Sequence, residues 1–127
     1  MGIATPIHLH FLRELLSRRE HELQEELLAA QQGQRANLQA AETNEVVDRK
    51  DEAIRAQLSE VDAAEQRRDL EELASVQRAL QRLDQGAFGD CVRCGEPIPL
   101  QRLHVQPAAE RCAACQAAVE RAMLGAP

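Results

Sequence analysis

Aromatic side chains are almost absent from this sequence: its 127 residues include two phenylalanines, no tryptophan and no tyrosine. Because aromatic side chains usually supply much of the apolar area of a globular core, this composition excludes a broad one. No stretch approaches the roughly 18 consecutive apolar residues that cross a membrane. The opening MGIATPIHLH also lacks the basic and apolar regions of a secretory signal. We therefore expect a cytoplasmic protein without a membrane partner.

Helix-breaking residues are scarce in two long stretches. Between about His8 and Ala40 there is no proline, and glycine occurs only at Gly33. Apolar residues recur there three, four or seven apart, which predicts an amphipathic helix. A second such stretch runs from about Asp51 to Leu83, and Gly86 and Gly89 follow it as glycines often follow a helix. The residues expected to form the apolar stripes are Leu9, Leu12, Leu16, Leu23, Leu27, Ala30 and Leu38 in the first helix, and Ile54, Leu58, Val61, Leu73, Val76, Leu80 and Leu83 in the second.

The similar lengths of the two stretches predict how the helices pair. Each helix alone would expose its apolar stripe, and an antiparallel coiled-coil hairpin with its tip near residues 42–53 buries both. The polar segment from Ala64 to Asp69 predicts the weakest packing in the middle of the second helix. A dimeric coiled coil is the alternative, but the matched lengths favour a monomeric hairpin.

Cysteine is rare but patterned. The only four cysteines are Cys91, Cys94, Cys112 and Cys115, spaced Cys-x2-Cys-x17-Cys-x2-Cys. This spacing is typical of a zinc site, and Gly95 after the first pair suits a turn that requires positive φ. Four thiolates fill the tetrahedral coordination of zinc and leave no open position for water. We therefore expect one structural Zn²⁺ and not a catalytic one.

Three other interpretations of the cysteine-rich segment are less favoured. Two disulfides are disfavoured in a reducing cytoplasm. A redox pair needs a strand–helix context, whereas Pro97, Pro99 and Pro107 predict turns. His104 is a possible substitute ligand, but four thiolates suffice, so we expect an exposed loop residue. The predicted fold is mainly α, with a helical hairpin over residues 1–85 and a small C4 zinc-finger domain with a C-terminal helix over 86–127.

Basic residues are outnumbered in the part of the chain that forms the predicted hairpin. Residues 8–85 contain 11 Lys or Arg against 17 Asp or Glu, and residues 86–127 contain four of each sign. A DNA-binding zinc module normally presents a basic face to offset phosphate charge. We therefore expect no direct sequence-specific DNA binding. The sequence also shows no nucleophile–base pattern, so we expect no enzyme.

Two aspartates at the predicted tip allow a structural and a functional explanation. Asp48 and Asp51 lie in the polar break between the helices. Aspartate is favoured at a helix N-cap and in the first turn, where it offsets the helix dipole. Periodicity alone favours this capping role. The functional alternative is a pair of carboxylates carried at the end of a hairpin, able to reach a metal or a cationic group.

The cysteine-rich segment carries a resemblance to a known family. The stretch AFGDCVRCGEPI (residues 87–98), followed by Arg102-Leu103, by Pro107-Ala108-Ala109 and by the closing cysteine pair, resembles the DksA/TraR family. The long hairpin resembles that of DksA itself, because TraR-like members lack most of the first helix. DksA proteins carry Asp-x-x-Asp-x-Ala at the tip, a pattern that Asp48, Asp51 and Ala53 match here.

The resemblance implies a partner and a mode of action. It implies that the chain binds bacterial RNA polymerase, that the hairpin enters the secondary channel, and that the tip modulates initiation without cleaving a bond. Members that respond to ppGpp, the alarmone of the stringent response, carry basic residues at positions that here hold Ser75, Gln106 and Gln116. Losing three cations weakens attraction for a polyanionic nucleotide. We therefore expect a weak or absent ppGpp response.

Two alternative functions remain open from the sequence. A secondary-channel factor that stimulates transcript cleavage would use an acidic tip to hold Mg²⁺, but Arg49 and Lys50 make this tip less acidic. A structural or DNA-binding zinc protein is the other alternative, and the negative net charge counts against it.

Overall fold

The computed structural model describes residues 6–43 and 49–125, and the side chains of residues 37–43 and 51 lie outside that description. The described residues form four helices: α1 (Pro6–Thr43), α2 (Arg49–Gln85), α3 (Leu100–Val105) and α4 (Ala113–Met123). The one β pairing among them is an isolated antiparallel bridge between Asp90 and Pro97. The predicted fold class, mainly α with two long helices and a cysteine-rich module, is confirmed.

The two long helices extend beyond their predicted ends. Both α1 and α2 are two or three residues longer at each end than the sequence pattern indicated. Arg49 and Lys50, predicted to precede the second helix, form the start of α2. The physical reason is that Arg, Lys, Glu and Ala are good helix formers even where no apolar stripe marks the helix. Asp48 lies outside the described residues.

The chain divides into two compact units. Unit 1 comprises Met1–Glu20 with Ala74–Pro127, and unit 2 comprises His21–Leu73. Unit 1 therefore contains the start of α1 and the end of α2 together with the cysteine-rich segment. The boundary predicted between residues 85 and 86 coincides with the end of α2 and, as a domain boundary, stays a prediction.

Unit 1 has a small apolar core that joins the long helices to the cysteine-rich segment. Leu12 of α1 packs with Cys91, Ile98 and Leu103, and all four are at most 3% exposed. Phe88, one of the two aromatic residues, packs against this cluster. Burying a leucine or isoleucine side chain contributes about 1.5–3 kcal/mol. The start of α1 is therefore anchored on the module that carries the thiols.

The helix pair within unit 1 is antiparallel. The predicted stripe residues Leu16 and Val76 are buried there, as is Ala79. Arg13 of α1 donates to Asp84 of α2 across 2.6 Å. Both partners are substantially exposed, so this ion pair adds little stability beyond fixing the register.

Glycine ends α2 as the sequence predicted. Gly86 has φ +72°, a left-handed conformation that glycine adopts without strain. Its N–H donates to the carbonyl of Leu83, and the N–H of Ala87 donates to that of Arg82. These two bonds form a Schellman motif, which satisfies carbonyls that the helix leaves unpaired and turns the chain toward the first cysteine.

Unit 2 buries much less apolar surface than the stripes predicted. Leu23 is fully buried, but Ile54, Leu58 and Val61 of α2 are each more than half exposed, so their expected burial was wrong. Near the middle of the pair, α1 contributes the small residues Ala29, Ala30 and Gly33, which leave a groove of about 430 Å³ against the polar face of α2. Side chains this short do not reach across to cover a neighbouring helix. The groove shows that the middle of the pair is loosely packed. However, residues 52–62 of α2 are all exposed, whereas Ala64, Gln66 and Asp69 are half-buried, so the prediction that packing is weakest in the middle was wrong.

Candidate metal centre and arginine cleft

The first cysteine pair lies in a tight hydrogen-bonded turn after α2. The N–H of Cys91 donates to the carbonyl of Glu96 (2.8 Å), and the N–H of Gly95 donates to that of Cys91 (2.9 Å). Gly95 has φ +78°, so the glycine predicted at this position is required by the backbone. The turn directs the thiols of Cys91 and Cys94 to the same side.

The second cysteine pair lies at the start of α4. Cys112 is the N-cap residue in an extended conformation, and Cys115 follows in the first turn. The N–H of Val92, in the first turn region, donates to the carbonyl of Glu110 across 2.9 Å. This bond ties the two segments together. The positive end of the α4 dipole also favours ionised sulfur.

The four sulfur atoms form one cluster. All the Sγ atoms lie within 4.8 Å of one another, and the Sγ atoms of Cys94 and Cys112 are 3.9 Å apart. A tetrahedral zinc with bonds of about 2.3 Å separates its sulfurs by about 3.8 Å, so the thiols present fit this ion. A disulfide requires about 2.05 Å between sulfurs, and all four cysteines are free. The predicted ligand set is therefore brought together, and the disulfide interpretation is excluded.

The clustered thiols change one another's ionisation. Burial of the Cys91 thiol opposes ionisation, but backbone N–H groups of Cys112, Cys94 and Arg93 donate to its sulfur and lower its pKa to about 6. The adjoining side chain of Cys112, together with burial, raises the pKa of Cys115 to about 12. Each thiol that ionises therefore makes ionisation of the remaining thiols less favourable. A bound divalent cation offsets this repulsion and allows all four cysteines to become thiolates.

His104 lies apart from this cluster. It is an exposed residue of α3 and not a loop residue, so its predicted setting was wrong. Leu100 and Leu103, one turn apart, pack α3 against the core of unit 1, which leaves His104 on the outer side. Its ring lies 5.8 Å from that of Phe11, centroid to centroid.

The three positions singled out for their lack of charge lie in one cleft of unit 1. Ser75, Gln106 and Gln116 line a cleft of about 480 Å³ between α2, α3 and α4. Three arginines line it as well, namely Arg78, Arg102 and Arg111. We call this the arginine cleft. Of the three, only Arg102 was named from the sequence, as part of the family motif, and none was predicted as a site residue. Arg78 lies one helical turn beyond Ser75, and Arg111 directly precedes the predicted zinc ligand Cys112. Their closeness in sequence to predicted site residues could therefore have identified these two arginines.

The tip residues are placed only in part. Ala53 is an exposed residue of α2, and the backbone of Asp51 belongs to the same helix. The side chain of Asp51 and the whole of Asp48 lie outside the described residues. The choice between capping and a functional role for these aspartates therefore stays a prediction.

A long helix pair joined to a four-cysteine metal site defines a C4-type zinc-finger protein with a helical hairpin. Residues 86–121 match the family described as the prokaryotic dksA/traR C4-type zinc finger. The chain is 30% identical to transcription factor DksA2 from Pseudomonas aeruginosa, with a TM-score of 0.71 covering 93% of this chain and 87% of that one. The chain belongs to the DksA/TraR family, and its four clustered cysteines are the ligands of one structural zinc ion.

Two further matches are more limited. A structure of the RNA polymerase binding protein and transcriptional regulator Dks from Chlamydia trachomatis is 26% identical, covering 64% of this chain and 99% of that one, with a TM-score of 0.41. That score is too low for a comparison of the folds. An uncharacterized protein of Aquifex aeolicus (strain VF5) is 43% identical over 49 residues, which are 39% of this chain and 34% of that protein. This chain thus spans about a third of that relative's length.

The described helices do not meet the requirements of a membrane span. None of them combines the length and the apolar character that crossing a bilayer requires.

Proposed function

We propose that this chain is a DksA-like regulator that binds bacterial RNA polymerase in the cytoplasm and modulates initiation, acting as a monomer and not as an enzyme. The observation that carries the proposal is the similarity, over 93% of this chain, to a structure described as a transcription factor. A match of that extent takes in both long helices as well as the cysteine-rich segment. Membership of the DksA/TraR family supports a regulatory role.

In the proposed mode of action the hairpin enters the secondary channel of the polymerase. The tip, with Asp48, Asp51 and Ala53, then approaches the active site and alters promoter complexes. The zinc has a structural role in this scheme and takes no part in the chemistry. Because Leu12 of α1 and Cys91 belong to the same buried apolar cluster, a folded metal site supports the end of the hairpin that lies in unit 1.

The response to ppGpp is proposed to be weak or absent. The support is that Ser75, Gln106 and Gln116 line one cleft and carry no positive charge. An anionic nucleotide therefore lacks three of the cationic partners that responsive members provide. The lifetime of promoter complexes, measured with this protein in the presence and absence of ppGpp, tests the proposal. A strong further shortening by ppGpp would contradict it.

The binding step is tested with core RNA polymerase and the zinc-loaded chain. A fluorophore is attached to the N-terminal amine, because a thiol-reactive label would destroy the metal site. We expect saturable binding by the wild-type chain and a much weaker signal from Cys91→Ser, in which the zinc site is incomplete. Failure of the wild-type chain to bind would overturn the proposal.

The two alternative functions are separated by parallel assays. A cleavage stimulator would shorten transcripts in arrested complexes, whereas we expect no shortening. A DNA-binding zinc protein would bind DNA at about micromolar concentration with an affinity that falls steeply with salt. We expect no such binding, because the chain carries a net charge of −6.

A further inference from the structure

The arginine cleft of unit 1 contains the kind of side chain that recognises phosphate. Arginine presents a planar fork of N–H donors that matches phosphate and carboxylate oxygens. Arg78, Arg102 and Arg111 line the cleft, so the cations absent from Ser75, Gln106 and Gln116 are replaced by others close by. Whether the cleft accepts an anion therefore depends on what these arginines already bind.

Arg78 is occupied by a carboxylate of the chain itself. Its Nε and Nη2 atoms both donate to Oε1 of Glu110, across 2.9 and 2.7 Å. The same Nη2 atom also donates to the hydroxyl of Ser75 across 3.1 Å. The Glu110 side chain is 18% exposed and that of Arg78 is 53% exposed, so the carboxylate is the more shielded partner of a pair whose guanidinium still contacts water. Glu110 thus takes the position that an external anion would need.

The backbone of Glu110 is held by the metal module. Its carbonyl accepts the N–H of Val92, which follows the zinc ligand Cys91. Cys112, a second ligand, is two residues further along the chain. The carboxylate is therefore presented by a segment that metal binding makes rigid, and displacing it costs more than moving a free surface side chain.

A second arginine of α2 lies under the influence of the same carboxylate. Burial lowers the pKa of Arg82, the charge of Glu110 opposes this change, and the charge of Arg78 adds to it. The Nη2 atom of Arg82 is buried and donates no hydrogen bond to any described residue. Removing the charge of Glu110 thus leaves two neighbouring guanidinium groups without their shared carboxylate.

The other arginines of the cleft are also engaged within the chain. Arg102 donates to the carbonyl of Arg111 across 3.0 Å. Arg111 donates to the amide oxygen of Gln116 across 3.3 Å, and Gln116 in turn donates to Glu120 across 3.0 Å. These contacts involve one donor of each guanidinium, so Arg102 and Arg111 keep further N–H groups for an anion.

We propose that Glu110 is a specificity-determining residue that closes the arginine cleft to polyphosphate anions by occupying Arg78. Only the regulatory consequence, a ppGpp response that the carboxylate of Glu110 suppresses, rests on the proposed function. The binding itself is a property of the protein alone. Its test contains no polymerase, so its failure would leave the proposed polymerase binding intact.

The experiment titrates inorganic tripolyphosphate into the full zinc-loaded chain at low salt and measures affinity by calorimetry. Glu110→Gln keeps the shape of the side chain and removes its charge, and we expect it to bind at least roughly tenfold more tightly than wild type. Glu120→Gln is the matched control. It removes an equal charge from the same cleft, but the Glu120 carboxylate accepts its hydrogen bond from Gln116 and not from an arginine. We expect it to change the affinity by less than about threefold. Arg78→Gln combined with Glu110→Gln should abolish the gain.

Three results would overturn the proposal: equal affinity of wild type and Glu110→Gln, an equal gain in Glu120→Gln, or a gain that survives the loss of Arg78. Zinc content is measured for each variant. If Glu110→Gln loses zinc, hydrogen exchange of the arginine Nε–H groups in the wild-type chain provides the decision. Arg78 should exchange much more slowly than the exposed Arg121, and similar rates would contradict its occupation by Glu110.

Discussion

Cys91 connects the metal site to the apolar core, since its thiol belongs to the sulfur cluster and the residue belongs to the buried cluster with Leu12, Ile98 and Leu103. Replacing it with serine removes a ligand that zinc binds strongly and leaves a hydroxyl among apolar side chains. For Cys91→Ser we expect less than one zinc per chain and a thermal midpoint lower by at least about 10 °C, because structural zinc contributes directly to folding.

The matched control for this substitution is Val92→Ala. Val92 lies between the two ligands of the first pair and is 55% exposed. We expect it to retain zinc and to shift the thermal midpoint by less than about 3 °C. If Cys91→Ser behaved like Val92→Ala, the cluster would not be a structural metal site.

Acid should release the metal. The raised pKa of Cys115, about 12, means that zinc has to displace a proton from this thiol at neutral pH. Cys91, with its pKa lowered to about 6, is already ionised there and takes up a proton only in more acidic solution. The stability that zinc confers is therefore present at high pH and lost as the pH falls. We expect the zinc dissociation constant to rise at least roughly tenfold per pH unit between about pH 8 and 6.

Competition with a chromophoric chelator measures this dependence directly. Each titration is repeated at constant ionic strength, so that screening of the thiolates does not change with pH. A dissociation constant that stays the same across the interval would show that all four thiols are ionised before metal binds, which contradicts the raised pKa of Cys115.

At the scale of single elements, replacing two glycines of the long helices and their ends with alanine should change the free energy of unfolding in opposite directions. Gly33 lies inside α1 and Gly86 follows α2, and an added methyl group meets no atom within 4 Å at either position. Gly33→Ala should raise the free energy of unfolding by about 0.5–1 kcal/mol, because alanine is the better helix former. Gly86→Ala should lower it by about 1–2 kcal/mol, because its φ is +72°.

Urea titrations followed by circular dichroism distinguish these effects. Neither substitution creates a clash. Changes of opposite sign in the free energy of unfolding would therefore arise from backbone conformation and not from packing. Changes of the same sign for both variants would contradict the conformations assigned to these two glycines.

The long helices were predictable from the sequence because their signals are local. Runs of helix formers without proline indicated both, and the leucine spacing identified Leu12, Leu16 and Leu23 as buried. The same spacing was misleading for Leu58 and Val61, which are exposed. Periodicity shows which face of a helix is apolar, whereas burial depends on the side chains of the facing helix.

The candidate sites were likewise predictable only where their signal is local in the sequence. The zinc ligands were predictable because two residues between cysteines is a local pattern with a definite geometry. The pairing of Arg78 with Glu110 was not, because the two residues are 32 positions apart in the sequence. Only the packing of the cysteine-rich segment against α2 brings them together.

At the scale of the whole molecule, charge is distributed unevenly along the chain. Residues 21–73, which form unit 2, contain 14 Asp or Glu and six Lys or Arg. An acidic surface favours association with a partner of opposite charge and steers the encounter. This distribution supports a protein partner for the hairpin and disfavours DNA.

The lifetime of competitor-resistant promoter complexes, measured at equal polymerase occupancy for wild type and Asp51→Asn, tests the central claim most directly. Glu52→Gln serves as control, because it removes an equal charge from the adjacent exposed residue, which occupies a variable position of the tip motif. We expect wild type and Glu52→Gln to shorten the lifetime, while Asp51→Asn binds polymerase with similar affinity and leaves the lifetime near its value without protein. No shortening by wild type, or equal shortening by Asp51→Asn, would contradict the proposed action of the tip.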